Sequence, residues 1–248
     1  MNPGDPTYDE VMLWYNDVAA QVGREIAALD WQPLLQGRPF EVTSRPKTID
    51  TLREKLQRDV RTPLQNVQDI AGVRFEAEMS IDEQDGVVNA ICGLYGHDLD
   101  TSVRDMRHSP HSGYRAVHLW LRLPARVEVQ VRTHLQGLWA NTYELAADLI
   151  GREIRYGALP INRGQRAAVE MLQQMSIYTI TTIEKDRNEI STLEAQEEDC
   201  RRGGSDPPLW LRRRLAKVRR RNLANETDLQ NRLLSVQQAF VELREERG

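Results

Sequence analysis

The stretch RVEVQVRT, residues 126–133, alternates strictly between apolar and polar side chains. Successive side chains of a strand point to opposite faces of a sheet, so this pattern predicts a strand with one apolar face. The apolar face is formed by Val127, Val129 and Val131. The opposite face has two cations, a carboxylate and an amide, at Arg126, Glu128, Gln130 and Arg132. Such a mixed-charge row is usually solvated, so a functional role needs further support.

The preceding stretch YRAVHLWLRL, residues 114–123, supplies that support. Only Pro124 and Ala125 separate the two stretches, which predicts a β-hairpin. Tyr114, His118 and Trp120 fall on one side of the first strand, and Gly113 before it permits close approach of another group. A histidine and an aromatic ring are therefore expected beside the carboxylate and amide of the second strand.

The rest of the first 150 residues predicts a mixture of helices and strands. VRFEAEM, residues 73–79, alternates like a strand, and residues 31–40 contain two prolines and a glycine, as is typical of a loop. Thr7 and Glu10 have the spacing of a capping box at the start of a helix. Helices are predicted over about 8–29, from near 49 to before 63, through 87–96 and over 138–150. The predicted fold class is α+β.

From about residue 160 the pattern is helical. Apolar residues recur from Leu172 to Leu193, RRGGSDPP (201–208) must interrupt the helix, and apolar residues from Leu229 to Leu243 then recur at steps of three and four. Two long helices joined by this turn predict an antiparallel hairpin, which would serve as a packing or dimerisation arm. The segment LRRRLAKVRRR, residues 211–221, has seven cations and no anion; it is either a solvated helix face or a surface for nucleic-acid phosphates.

Composition excludes several classes of protein. The chain of 248 residues has 40% hydrophobic and 28% charged residues, so most of it should fold. Cys92 and Cys200 lack metal-like spacing, which argues against a structural zinc site or a disulfide framework. No apolar run is long enough to cross a bilayer and the start is polar and acidic, so we expect a cytoplasmic protein without a membrane segment.

Two acidic residues could hold a divalent cation. Asp69 precedes the strand at 73–79, and Glu128 lies on the polar row of the second hairpin strand. Mg²⁺ commonly uses one or two carboxylates together with substrate phosphates. Basic residues that could meet those phosphates occur at Arg45, Lys47 and Lys55, next to a predicted helix start. Taken singly, Asp69 is more often a turn or capping residue, and the basic segment is more often a solvated helix.

Four motifs in order settle the choice between these interpretations. RPKTIDTLREK (45–55), DIAGVR (69–74), GYRAVH (113–118) and EVQVRT (128–133) followed by LWA resemble the RelA/SpoT synthetase domain. The resemblance covers about residues 40–150. It implies a mixed sheet with packed helices in a nucleotidyltransferase-like fold, with an N-terminal helix and loop at 1–39, a synthetase core at 40–155 and a helical extension at 160–248. Hydrolase and regulatory domains of long family members are not seen, which indicates the small single-domain class, whose members include toxic small alarmone synthetases.

The resemblance also implies an activity: transfer of pyrophosphate from ATP to a ribose 3′-hydroxyl, with Mg²⁺ as cofactor. Asp69 and Glu128 would hold the metal, or Glu128 would take the proton of the attacking hydroxyl. ATP would be bound by Arg45, Lys47, Lys55 and Arg74. The acceptor would be bound by Tyr114, His118, Gln130 and Arg132, with Tyr114 stacked on the base.

The acceptor half of the site departs from the family pattern. Pro110 and His111 occupy the neighbourhood of a usual lysine, Gly137 stands where an Asp or Asn usually reads guanine, and a usual Glu-His pair is Tyr143-Glu144. The acceptor is therefore GDP or GTP, as in alarmone synthesis, or the 3′-CCA end of tRNA, as in family toxins that an antitoxin neutralises. The C-terminal helices could also form a homo-oligomer. The alternative is a catalytically inactive relative that binds nucleotide or RNA, or acts as a scaffold through its helical arm.

Overall fold

A computed structural model of the chain describes residues 7–46, 70–108 and 111–246, with the backbone alone at 45 and 46. Its contacts divide the chain into two compact units. The described parts of residues 1–78, 85–105 and 116–132 form the first unit, and those of 79–84, 106–115 and 133–248 form the second. The domain boundaries proposed from the sequence remain predictions, and the helix expected from residue 49 lies outside the described residues.

Helix α1 (Tyr8–Ala27) opens the first unit, as the sequence predicts. The capping box forms: the Thr7 hydroxyl accepts from the backbone N–H of Glu10, whose carboxylate accepts from the backbone N–H of Thr7 at 2.7 Å. Side chains spaced three and four apart are then buried along one face, including Ala19, Val22 and Ile26. That face packs against strands β1 (Phe40–Pro46) and β2 (Ala71–Ala77).

Among the described residues, five strands form one sheet in the order β1-β2-β5-β4-β3. The other three are β3 (Val103–Asp105), β4 (Val117–Arg122) and β5 (Arg126–Thr133). β4 and β5 are antiparallel neighbours, which confirms the predicted hairpin. The first strand of the hairpin is shorter than expected, because residues 114–116 precede it. The fold class is confirmed as well: a mixed sheet with packed helices.

The apolar rows of the strands are buried. Val127, Val129 and Val131 have no exposed surface, and Phe75 of β2 is likewise enclosed. The Phe75 ring stacks on Phe40, with ring centroids 5.6 Å apart. Burial of such side chains contributes roughly 1.5–3 kcal/mol each, so the alternating pattern fixes which face of the sheet is polar.

Several elements differ from the sequence prediction. The segment predicted as a loop over 31–40 contains a short helix, α2 (Gln32–Leu35), which Pro33 favours by standing in its first turn. The predicted helix at 87–96 is longer, α3 (Ile81–Leu94). β1 and β3 were not predicted, since neither shows sustained alternation; a short helix, α4 (Leu99–Ser102), leads into β3.

The second unit is mainly helical. Helix α5 (His134–Ile150) begins with a second capping box, formed by Thr133 and Gln136. Helix α6 (Arg163–Gln174), a π-helical turn at Met175–Ile180 and helix α7 (Thr181–Arg202) follow almost without a break. After the turn at 203–208, helix α8 (Leu209–Glu245) completes the unit.

Helices α7 and α8 form the predicted antiparallel hairpin. At the end next to the turn, the two helices bury Leu193, Leu211, Leu215 and Val218 together. The other end packs into a larger cluster around Trp139 of α5, with Leu229, Leu233 and Phe240 from α8. The hairpin is thus part of the core of the second unit. No helix among the described residues has the length and apolarity to cross a membrane.

Candidate active site

The hairpin of β4 and β5 places the predicted polar side chains next to one another. His118 pairs with Gln130 across the two strands, and Trp120 pairs with Glu128. Residues that face each other across a ladder share one face of the sheet, so these four side chains form one polar surface. The hairpin therefore brings together the carboxylate, imidazole and amide that the sequence grouped.

Glu128 is held at the centre of this surface by two hydrogen bonds. Gln130 Nε2 donates to Glu128 Oε2 at 2.9 Å, and His118 Nδ1 lies 3.0 Å from Glu128 Oε1. An ionised carboxylate can only accept, so the His118 contact requires the proton on Nδ1. The side chains of His118 and Glu128 are each 13% exposed, so neither is fully buried. Glu128 is thus fixed in position on a partly exposed surface.

Arg132 follows Gln130 by two residues on the same face of β5, and only 2% of its surface is exposed. Its Nη2 forms an ion pair with Glu76 of β2. This contact places Glu76 on the same polar face as Glu128, and Arg74, two residues before Glu76, shares that face. Glu76 was not among the predicted site residues, although its place in the alternation of β2 marks it as a polar-face residue.

Tyr114 lies in the second unit, just before β4. Its backbone N–H donates to the carbonyl of His111, and its half-buried ring packs against the apolar cluster around Trp139. The Trp139 ring approaches the backbone of Gly113, whose φ of +88° is a conformation that favours glycine. The close approach expected at Gly113 is therefore present, and the group that approaches is Trp139.

The remaining predicted site residues are only partly described. Lys47, Lys55 and Asp69 lie outside the described residues. The backbone of Arg45 belongs to β1, where it pairs with Gly72 of β2. The backbone of Arg45 thus lies beside β2, and the roles of the predicted ATP-binding side chains stay predictions.

A divalent cation fits the part of the site that the structure describes. The described ranges contain no group of three potential metal-binding side chains, but Mg²⁺ needs only one or two carboxylates. Glu128, on the polar face of β5, provides one such carboxylate and is not fully buried. Asp69 would be the second ligand.

The basic segment 211–221 lies on α8, and three of its seven cations, Arg214, Arg219 and Arg221, pair with carboxylates of α7. Arg219 pairs with Glu194 at 2.7 Å, and Arg221 makes a two-pronged contact with Asp186, at 2.6 and 2.8 Å. The carboxylate raises the pKa of the Arg221 guanidinium further through hydrogen bonding and charge. Carboxylates of α7 are therefore partners of part of the basic segment within the hairpin.

Comparisons with known proteins agree with this architecture. Residues 44–150 match a model described as a region found in RelA / SpoT proteins. An uncharacterized protein of Mycobacterium tuberculosis is 42% identical over 196 residues, which cover 79% of this chain and 68% of the relative.

Solved structures show the same fold at lower identity. Small alarmone synthetase 1 from Bacillus subtilis is 22% identical with a TM-score of 0.56, over 78% of this chain and all of that one. A GTP pyrophosphokinase family protein from Streptococcus pneumoniae is 21% identical with a TM-score of 0.57, over 76% of this chain and 96% of that one.

The fold of the chain is thus the fold of small alarmone synthetases. The chain belongs to the RelA/SpoT family, and this membership supports pyrophosphokinase activity in general.

Proposed function

We propose that the protein transfers the β,γ-pyrophosphate of ATP to the 3′-hydroxyl of a ribose. The acceptor oxygen attacks the β-phosphorus, the bond from that phosphorus to the oxygen bridging to the α-phosphate breaks, and AMP leaves. The single observation that carries the proposal is the placement of Glu128, fixed by His118 and Gln130 on a partly exposed polar surface.

Glu128 suits the role of a general base. A ribose hydroxyl is a weak nucleophile near neutral pH, and a positioned base that accepts its proton typically contributes about 10²–10⁴-fold in rate. The donors on Glu128 restrain its orientation, so the proton acceptor does not have to be ordered during the reaction. Asp69 and Glu128 would hold Mg²⁺, which would supply positive charge to the polyphosphate.

Charge neutralisation is the second requirement of the chemistry. The phosphorus under attack is surrounded by anionic oxygens, and cations placed on them lower the barrier. Arg74 on the polar face of β2, with Arg45, Lys47 and Lys55 before it, would bind the ATP phosphates. Arg132 would support the acceptor side from within its ion pair with Glu76.

The acceptor is a guanosine nucleotide or the 3′-CCA end of tRNA. Gly137 is buried in α5 and offers no side chain for reading guanine, which favours tRNA. A tRNA acceptor would also need basic surface for its backbone. The ion pairs of α8 reduce the charge that the 211–221 segment can offer. A toxin of this type would act in the cytoplasm and be held inactive by an antitoxin, and the α7–α8 hairpin could join copies of the chain.

The test uses ATP labelled in the γ-phosphate, with Mg²⁺ and either GDP, GTP or deacylated tRNA. Label on a guanosine nucleotide identifies an alarmone synthetase, and label on tRNA identifies a translation-blocking toxin. Absence of label from every acceptor, with ATP binding retained, would support the inactive relative instead. Glu128→Gln should reduce transfer by roughly 10²–10⁴-fold while ATP binding persists. Glu242→Gln on the exposed surface of α8 is the matched control.

A further inference from the structure

The second unit contains a cavity of about 380 Å³ that the proposed transfer chemistry does not use. Helix α7 forms one wall, with Ile177 of the preceding π-helical turn. The segment before β4 forms another wall, with Arg107 and Arg115. Small-molecule sites commonly occupy roughly 300–1,000 Å³, so the space suffices for a ligand much larger than a water.

The lining of the cavity is cationic. Arg107, Arg115 and Lys185 bring three positive side chains, against the single carboxylate of Glu184. Glu184 is 3% exposed, and its oxygens are engaged by Arg115 and by Gln136. Its negative charge is therefore paired with Arg115, and the net charge of the lining is positive.

The two arginines are fixed in place by the fold. Arg115 is 7% exposed and donates from Nη1 to the carbonyl of Arg107, while its Nη2 pairs with Glu184. The buried Nε–H of Arg115 has no acceptor among the described residues. The guanidinium of Arg115 as a whole lies at the wall of the cavity, where its charge attracts an anion.

A chain of amides completes the support. Arg107 Nη1 donates to Gln84 Oε1 at 3.1 Å, and Gln84 Nε2 donates to Gln136 Oε1 at 3.0 Å. Gln136 Nε2 in turn donates to Glu184 Oε1 at 2.6 Å. Because every link is made within the protein, the cations are oriented before a ligand arrives, which lowers the cost of binding.

We propose that this cavity binds a phosphate or pyrophosphate group. Buried, preorganised arginines match the geometry of phosphate oxygens, and the exposed Lys185 at the wall adds a mobile point charge. The group belongs either to the acceptor of the proposed reaction or to a separate phosphate-bearing effector. Binding of the group does not depend on the proposed transferase activity. Its identification as part of the acceptor rests on that activity.

Binding is tested by calorimetric titration of the full chain with inorganic pyrophosphate near physiological salt. Lys185→Glu should weaken binding by about tenfold or more, because it removes one cation and adds an anion at the wall. Arg244→Glu makes the same change of net charge at an exposed position of α8, outside the 211–221 segment, and should leave affinity within about twofold. No binding to the natural chain, or equal loss in both variants, would overturn the proposal.

Kinetics then separate the two sources of the phosphate group. Inhibition by pyrophosphate that is competitive with the acceptor, and that is lost in Lys185→Glu, identifies the acceptor's own phosphates. A change of rate at saturating acceptor, lost in the same variant, identifies an effector. If no acceptor is labelled at all, the calorimetric result still stands, so failure of the proposed function and failure of this site are distinguishable.

Discussion

Gly113 allows a sharp test of how the segment before β4 is held. An added Cβ would lie 2.8 Å from Cζ2 of Trp139 and 3.3 Å from the backbone Cα of Gln173. The Trp139 ring cannot move aside easily, since its Nε1 donates to the carbonyl of Leu172 at 2.6 Å and Tyr143 stacks on it. Gly113→Ala therefore combines a steric clash with backbone strain.

The cost has two parts. A left-handed backbone is disfavoured for alanine by roughly 1–2 kcal/mol. Overpacking against a fixed neighbour adds roughly 1–3 kcal/mol. Together these give a loss of about 2–5 kcal/mol, which at roughly 2–4 °C per kcal/mol for a chain of this size lowers the melting temperature by about 4–20 °C.

Gly204→Ala isolates the backbone part. Gly204 lies in the turn of the helical hairpin with a φ of +75°, and nothing lies within 4 Å of its added Cβ. Gly204→Ala should therefore lose stability only through backbone strain, by about 1–2 kcal/mol. Urea unfolding followed by circular dichroism measures both variants against the natural chain. Equal losses for Gly113→Ala and Gly204→Ala would refute the close approach of Trp139.

Three further outcomes are expected. Tyr114→Ala should raise the KM for the acceptor roughly tenfold, as loss of base stacking implies, and equal losses for ATP and acceptor would contradict that role. Burial and the charge of Asp98 raise the pKa of the Cys92 thiol. Ellman's reagent should therefore modify the more exposed Cys200 first. Faster labelling of Cys92 would show that its thiol is accessible to the reagent. Burial and the hydrogen bond to Glu25 raise the pKa of Tyr95 above its ordinary value of 10.0, so its contribution to stability is present below that pH and is lost as pH rises beyond it. Tyr95→Phe should cost about 1 kcal/mol at neutral pH and flatten the alkaline fall in the free energy of unfolding, and an unchanged profile would argue against the bond.

Local patterns in the sequence determined much of this protein. The capping residues Thr7 and Glu10 mark where α1 begins, and the valine row of β5 decides which face of that strand is buried. The hairpin of α7 and α8 and its turn are likewise visible in the spacing of apolar residues and in RRGGSDPP. These features depend on interactions between residues close in the chain, so a single sequence reveals them.

Only the tertiary structure decided which partner each charge has. Arg132 is in an ion pair with Glu76, 56 residues earlier, and Arg115 is buried against Glu184, 69 residues later. No local pattern specifies such pairs, because any exposed carboxylate of the chain is an equivalent candidate until the strands and helices are packed. Burial then determines which ion pairs form, because a charge removed from water is stable only beside an opposite charge that compensates it.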